Sequence, residues 1–138
     1  MKLVLLNPNS KLFSEAIKDE LDIHNEEFTS LNLGDTYLLM DNDKIVGQIN
    51  YQEAIDSSDI LYLYINKEYR GNGYSKVLLN ESMNELYKKG IKEVFLDVRT
   101  KNTIARNLYK SVGFIEIGIR KEYYSDNDDA IVMKKILG

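Results

Sequence analysis

The stretch Tyr69-Arg70-Gly71-Asn72-Gly73-Tyr74-Ser75-Lys76 lies between an apolar run and an amphipathic one, and its reading settles the architecture around it. Upstream, Ile60 to Ile65 is rich in Tyr, Leu and Ile and reads as a strand. Downstream, positions 75, 78, 79, 82, 83 and 86 (Ser, Leu, Leu, Ser, Met, Leu) recur at i, i+3, i+4, i+7, i+8 and i+11. That spacing predicts a helix of about four turns with one buried face, and Gly90 is a good stop for it. A strand that feeds a helix through a glycine-rich turn presents free N–H groups and the positive end of the helix dipole. Both suit an anion such as pyrophosphate. Gly71 and Gly73 let the backbone approach a ligand with no Cβ between, and Arg70 and Lys76 add positive charge. The turn is not a Walker loop, since no Gly-Lys-Ser/Thr motif is present, and the third glycine of the dinucleotide fingerprint is Lys76 here. A plain strand-to-helix turn with solvent-facing charges is the structural alternative, and local physics leaves both open.

Working outward, Lys2 to Leu6 reads as a first strand, ended by Asn7-Pro8-Asn9. Leu12, Phe13, Ala16, Ile17 and Leu21 then recur at helical spacing behind Ser10 as N-cap. Tyr37 to Met40 and Lys44 to Tyr51 flank Asp41-Asn42-Asp43 as a hairpin. Past Gly90, Ile91 to Arg99 alternates, with Val94, Leu96 and Val98 on one side and Phe95, Asp97 and Arg99 on the other. Ile104, Ala105, Leu108, Tyr109 and Val112 form a short helix ending at Gly113. Phe114 to Arg120 alternates Ile115, Ile117 and Ile119 against Glu116, Gly118 and Arg120. Asp126-Asn127-Asp128-Asp129 supplies a solvated turn before a last strand from Ala130 to Leu137. The order β-α-β-β-β-α-β-α-β-β predicts an α/β domain with a mixed sheet.

Composition narrows the chemistry. The chain has 138 residues, which suits one domain over 1–138. With no cysteine and one histidine, His24, thiol chemistry and Cys/His metal sites are excluded, and no G-x-S-x-G elbow supports a serine triad. His24 falls on a polar stretch and reads as a surface residue. What remains is carboxylates, tyrosines (ten, against four Phe and no Trp), backbone amides or a bound cofactor. The net charge of −4 carries no basic stripe, so nucleic acid is not an expected partner. The apolar start Leu3 to Leu6 is too short for a signal peptide. No run approaches the roughly 20 apolar residues of a membrane span. A soluble cytoplasmic protein, without metal, is expected.

Two blocks carry a family resemblance. Tyr69-Arg70-Gly71-Asn72-Gly73-Tyr74-Ser75 resembles the R/Q-x-x-G-x-G/A signature of the GNAT family of N-acetyltransferases, with Ser75 where Gly or Ala is usual. Asn102-Thr-Ile-Ala105-x-x-Leu108-Tyr109-x-x-x-Gly113-Phe114 resembles that family's N-x-x-A-x-x-L-Y-x-x-x-G-F segment. More narrowly, Leu96-Asp97-Val98-Arg99, Arg120-Lys-Glu-Tyr123-Tyr124 and Asp129-Ala130-Ile131-Val132-Met133 resemble the ribosomal-protein alanine N-acetyltransferase subfamily. The resemblance implies the GNAT fold, a mixed and mostly antiparallel central sheet with helices on both faces. It implies acetyl-CoA as the acetyl donor. Leu63, Tyr64 and Ile65 would bond the pantetheine arm through main chain. Arg70, Gly71, Asn72, Gly73, Tyr74, Ser75 and Lys76 would hold the pyrophosphate, and Asn102 would touch the cofactor while also capping its helix.

By the same resemblance Asp97 stands at the general base, a glutamate in the subfamily, and Tyr109 at the general acid. Asp is one methylene shorter, so a relay through one water is the natural route. The structural alternatives are an ion pair of Asp97 with Arg99 or another neighbour and core packing for Tyr109. An N-terminal amine, with a reference pKa of about 7.7–8.0, is already partly neutral near pH 7. It would attack the thioester while a strand amide near Tyr64 or Ile65 stabilises the oxyanion. The acceptor that the resemblance implies is a protein N-terminus, that of a ribosomal protein in the subfamily. A small-molecule amine or a lysine side chain is the alternative acceptor, and a non-catalytic acyl-CoA-binding module is the alternative of another class. The acceptor side, 12–33 and 122–129, would decide among these, with Tyr124 placed to line a peptide cleft.

Overall fold

A computed structural model describes residues 1–6 and 35–138. The helix expected over 10–21, His24 and the acceptor-side stretch 12–33 lie outside the described residues. The described elements are β1 (Lys2–Leu6), β2 (Asp35–Asp41), β3 (Lys44–Glu53), β4 (Ser57–Ile65), α1 (Tyr74–Lys88), β5 (Glu93–Arg99), α2 (Thr103–Ser111), β6 (Ile115–Arg120) and β7 (Ala130–Ile136). They form one seven-stranded sheet in the order β1-β2-β3-β4-β5-β7-β6. Every neighbouring pair is antiparallel except β4 and β5, which run parallel because the α1 crossover joins them.

Alternation along each strand sorts side chains to two faces. Tyr37, Leu39, Ile49, Tyr51, Ile65, Val94, Leu96, Val98, Ile131 and Met133 share one core with Leu78, Leu79, Met83 and Leu86 of α1. Ala105, Leu108 and Tyr109 of α2 pack against the same core, so both described helices cover this face. The helical spacing from Ser75 finds its face, with Leu78, Leu79, Ser82, Met83 and Leu86 buried. Ser82 is the polar member, and its Oγ shares a 2.7 Å hydrogen bond with the Tyr51 hydroxyl. The opposite face carries Leu38, Ile45, Met40, Tyr62 and Tyr64.

Ile115, Ile117 and Ile119 alternate along β6 as the sequence reads, and neither side of the strand is buried. All six residues are exposed. The strand is the sheet edge, and a bulge between Glu116 and Gly118 breaks the pairing with β7. Arg106 and Lys110 of α2 reach it through ion pairs to Glu116, and the three isoleucines stay exposed.

One irregularity opens the sheet at its centre. The β3–β4 register shifts between Asn50 and Tyr51, leaving an extra residue in β4 next to Tyr62. A bulge bends its strand and increases local twist. Past it, β4 and β5 part company, being paired only over Ser57↔Glu93, Ser58↔Val94 and Asp59↔Phe95. From there β4 runs on to Ile65 and β5 to Arg99 with a wedge between them.

Candidate active site

The wedge between β4 and β5 exposes strand edges of defined polarity. Asn66 N–H donates to the Val46 carbonyl at 2.8 Å, which fixes the phase of the β3–β4 ladder. Antiparallel pairs alternate between bonded and non-bonded. With Tyr64 opposite Gln48 and Leu63 opposite Ile49, the bonded pair is Tyr64/Gln48, and the peptide groups of Leu63 and Ile65 turn toward the wedge. The Ile65 carbonyl is already taken by Arg70 Nε at 2.9 Å. That leaves the Leu63 N–H and C=O and the Ile65 N–H along the open edge. Gly47 makes the close approach of β3 to this segment possible. A Cβ there would lie 2.6 Å from the Tyr64 carbonyl oxygen and 2.5 Å from Ile65 Cδ1.

At the mouth of the wedge stands the N-terminus of α1. Gly71 and Gly73 hold φ of 81° and 79°, the left-handed region that favours glycine. A Cβ at either would meet nothing within 4 Å, so the backbone faces open space. Gly73 occupies the N-cap position and offers no side chain, leaving the first-turn N–H groups of Tyr74, Ser75 and Lys76 without a side-chain cap. Asn72 stiffens the turn by donating from Nδ2 to the Tyr69 and Arg70 carbonyls at 3.1 and 3.3 Å. Two predicted contributors are placed differently from a simple anion clamp. Arg70 folds back onto β4, its guanidinium 5.1 Å above the Tyr64 ring, and Tyr74 packs its ring edge-on against Tyr69. Their backbone, with exposed Lys76, faces the turn.

Asp97 and Tyr109 occupy opposite faces of the sheet. Asp97 shares a face with Phe95, away from both helices, and its Oδ1 accepts from Arg120 Nε at 3.1 Å. The ion-pair alternative therefore holds, but with Arg120 and not Arg99. Together with Asp59, Ile60, Leu61, Phe95, Leu96, Tyr123 and Val132 this pair lines a cavity of about 270 Å³ at the closed end of the wedge. Tyr109 projects from α2 into the helix-covered side, edge-on to Phe114 with ring centroids 5.7 Å apart. Burial, with a smaller effect of neighbouring Tyr124, pushes its phenol up to about 12. The proton thus stays on Tyr109 throughout the neutral range, which is the form a general acid needs. Asn102 caps α2, its Oδ1 accepting from the Ala105 N–H at 3.1 Å.

The β6–β7 loop closes the end of β5. Arg99 Nη1 donates to both carboxylate oxygens of Asp126, at 2.8 and 2.9 Å, and its guanidinium lies 4.0 Å over the Tyr124 ring. Asp128 accepts from Thr100 Oγ1, and Asp129 accepts from the Glu122 N–H. The acidic turn expected to be solvated is thus largely spent on internal bonds. Tyr124 sits near enough to both Asp97 and Tyr109 to be electrostatically linked with each. Its own phenol is raised by burial and by the Asp97 charge, against the opposing pull of Arg99.

Sequence reasoning passes over Asp59, because Ser57, Ser58 and Asp59 read as a polar flank to a strand that begins at Ile60. The polar residues belong to β4 because Ser58 is buried and bonds the Gln52 carbonyl at 3.2 Å. The usable signal is the alternation Ser58, Ile60 against Asp59, Leu61, which continues the strand two residues upstream.

Comparison with known proteins agrees with this geometry. Residues 6–114 match the model of the acetyltransferase (GNAT) family. The ribosomal protein bS18-alanine N-acetyltransferase of Haemophilus ducreyi is 36% identical over 109 residues, 74% of this chain and 75% of that protein. The enzyme of that name from Escherichia coli K12 is 33% identical over 114 residues, 78% of this chain and 77% of its own. Among solved structures, the ribosomal-protein-S18-alanine N-acetyltransferase of Escherichia coli superposes with a TM-score of 0.83 over 99% of this chain and 95% of that one, at 24% identity. A GNAT acetyltransferase of Elizabethkingia anophelis with acetyl-CoA bound gives 0.81 over 99% and 97%, at 17%. A split β4–β5 pair, a glycine turn opening α1 and the extent of these matches lead to one assignment: the chain belongs to the GNAT family of acetyltransferases.

Proposed function

We propose that this acetyltransferase, folded as one domain over 1–138, moves an acetyl group from acetyl-CoA to the α-amine of a protein N-terminus. A ribosomal protein beginning with alanine is the favoured acceptor. The observation that carries the reading is the wedge, whose open β4 edge leads through the short helical turn Lys67–Tyr69 and the glycine turn to the uncapped N-terminus of α1. The chain's residues fit the donor along that line. Leu63 and Ile65 present peptide groups that match an amide-bearing pantetheine arm, as one strand pairs another. Tyr64 contributes by keeping β4 on β3. Gly71, Gly73 and the amides of Tyr74, Ser75 and Lys76 suit a pyrophosphate, with Arg70 and Asn72 holding the turn. Asn102 stands at the start of α2, at the C-terminal end of the wedge. The relatives named for alanine acetylation support the acceptor class, and a donor and acceptor of this kind support a cytoplasmic location.

A thioester lying in the wedge has the Asp97 face on one side and Tyr109 on the other. The amine enters from the carboxylate-lined cavity, where ammonium is favoured. The Ile65 or Leu63 N–H meets charge developing on the carbonyl oxygen. Tyr109, kept protonated by burial, gives its proton to the departing thiolate.

The test is a CoA-release assay with Ala- and Ser-initiated peptides, lysine peptides with blocked N-termini, and polyamines in parallel. Fastest release with the Ala- and Ser-initiated peptides is expected. Preference for lysine or polyamines replaces the acceptor. Acetyl-CoA binding with no release from any amine makes the chain a binding module.

A further inference from the structure

We propose that Glu116 is a positioning residue of the reaction: through Arg106 and Lys110 it fixes the tilt of α2, and with it the place of the Tyr109 hydroxyl. This role rests on the transferase reading and on Tyr109 as its proton donor.

α2 needs an anchor beyond its apolar stripe. Ala105, Leu108 and Tyr109 pack against the core, yet no residue of the helix is fully buried. Apolar packing alone grips such a helix lightly. Arg106 and Lys110, four positions apart, share the face beside that stripe and converge on β6. Arg106 Nε and Nη2 donate to Glu116 Oε1 at 3.0 and 2.8 Å, and Lys110 Nζ lies 3.1 Å from the same oxygen. The remaining arm of the fork, Nη1, donates to the Thr100 carbonyl at 2.8 Å. Thr100 follows β5 and Glu116 belongs to β6, the strands on either side of β7. One guanidinium therefore straps α2 across three strands. Although β6 is an exposed edge, the side chains of Arg106 and Glu116 are only 25% and 30% exposed. An isolated surface pair is worth little, but a fork with all three nitrogens engaged in a shared network holds one geometry. Arg106 first and Lys110 second hold the Glu116 carboxyl below its usual range, so the strap keeps its charge at neutral pH.

The strap closes a ring of contacts around Tyr109. The Tyr109 ring rests edge-on against Phe114, and the Phe114 N–H donates to the Tyr109 carbonyl at 3.0 Å. Two residues beyond Phe114 the chain reaches Glu116. Its ion pairs return to α2 at Arg106, about one turn before Tyr109, and at Lys110, next after it. The phenol is thus held at its ring by Phe114 and at its helix by Glu116. Misplacing a reacting group by about 1 Å can cost on the order of 100-fold in rate. Loosening one tether of the helix should cost part of that.

The test is a double-mutant cycle of Glu116→Ala and Tyr109→Phe, with Glu116→Gln alongside. Turnover is read as CoA release with an Ala-initiated peptide, and acetyl-CoA Kd by calorimetry. Glu116→Ala is expected to lose about tenfold in kcat, with donor Kd and acceptor KM unchanged. In the Tyr109→Phe background the same substitution should cost less than about twofold, because the group it positions is gone. Glu116→Gln keeps an oxygen for the Arg106 fork and should regain most of the lost turnover. Wild-type kcat in Glu116→Ala, an equal loss in both backgrounds, or a parallel fall in donor affinity overturns the proposal and leaves the transferase reading standing. A glutamine variant as slow as the alanine one does the same. Wild-type turnover in Tyr109→Phe removes the proton donor and this proposal with it. A wild-type protein that releases no CoA with any acceptor removes the transferase reading as well.

Discussion

Tyr109 illustrates how the packing of one side chain bears on the chemistry proposed for it. Its ring fills space against Phe114, and the same burial that makes it a core residue keeps its hydroxyl protonated. Replacing it with Phe preserves nearly all the packing and removes only the proton. Tyr109→Phe is therefore expected to lower kcat about 100-fold while leaving the calorimetric acetyl-CoA Kd unchanged. A loss of donor binding of the same size assigns Tyr109 to the cofactor pocket instead. At this scale the sequence is legible where a motif covers the residue, as for Tyr109 and Asn102. It is not legible for the partner of Asp97. Arg99 is near in sequence, but Arg99 is drawn to Asp126 by a loop closing from 27 positions downstream, and β6 brings Arg120 to Asp97 instead. Such pairings depend on the strand order β5-β7-β6, which no local pattern encodes.

Among the elements, the glycine turn and the β6–β7 loop are proposed to serve separate substrates, donor and acceptor. Gly73→Ala forces a side chain into left-handed backbone, a strain of about 1–2 kcal/mol, and places a methyl group where the pyrophosphate is proposed to lie. The acetyl-CoA Kd should rise about tenfold with acceptor KM little changed. Arg99→Ala releases both Asp126 and the Tyr124 ring, and the opposite pattern is expected. Acceptor KM should rise about tenfold while donor Kd stays put, as titrations of each substrate will show. Periodicity locates α1 closely because its buried face is apolar at every turn apart from Ser75 and Ser82. It says nothing of burial in β6, whose three isoleucines alternate in sequence but lie exposed on the sheet edge. Alternation reports a pleat, and burial needs a second layer that strand order alone decides.

For the whole molecule, the tyrosine surplus has a consequence for stability. Tyr51 is fully buried and its phenol is strongly raised by burial, relieved in part by Ser82. Tyr109 is raised to about 12 by burial and Tyr124. In the unfolded chain these groups ionise near pH 10, whereas in the folded protein they stay neutral beyond it. The stabilisation is complete below pH 10 and is lost as pH climbs toward 12. For Tyr109 alone this amounts to roughly 3 kcal/mol. Denaturant midpoints should hold steady from pH 7 to 9 and fall steeply between 10 and 12; a flat profile there contradicts the burial account. Ser82→Ala strips Tyr51 of its partner and should cost about 1–3 kcal/mol in the same assay at pH 7.

The absence of cysteine and the single histidine leave acyl transfer among carboxylates, phenols and amides, and the fold supplies all three on the two sides of one wedge. What it acetylates is the central claim. The most direct measurement gives the enzyme acetyl-CoA and one peptide carrying both a free N-terminal alanine and an internal lysine, then locates the acetyl group by fragment mass spectrometry. Acetyl on the alanine nitrogen is the predicted result. Acetyl on the lysine side chain, with the N-terminus left free, contradicts it.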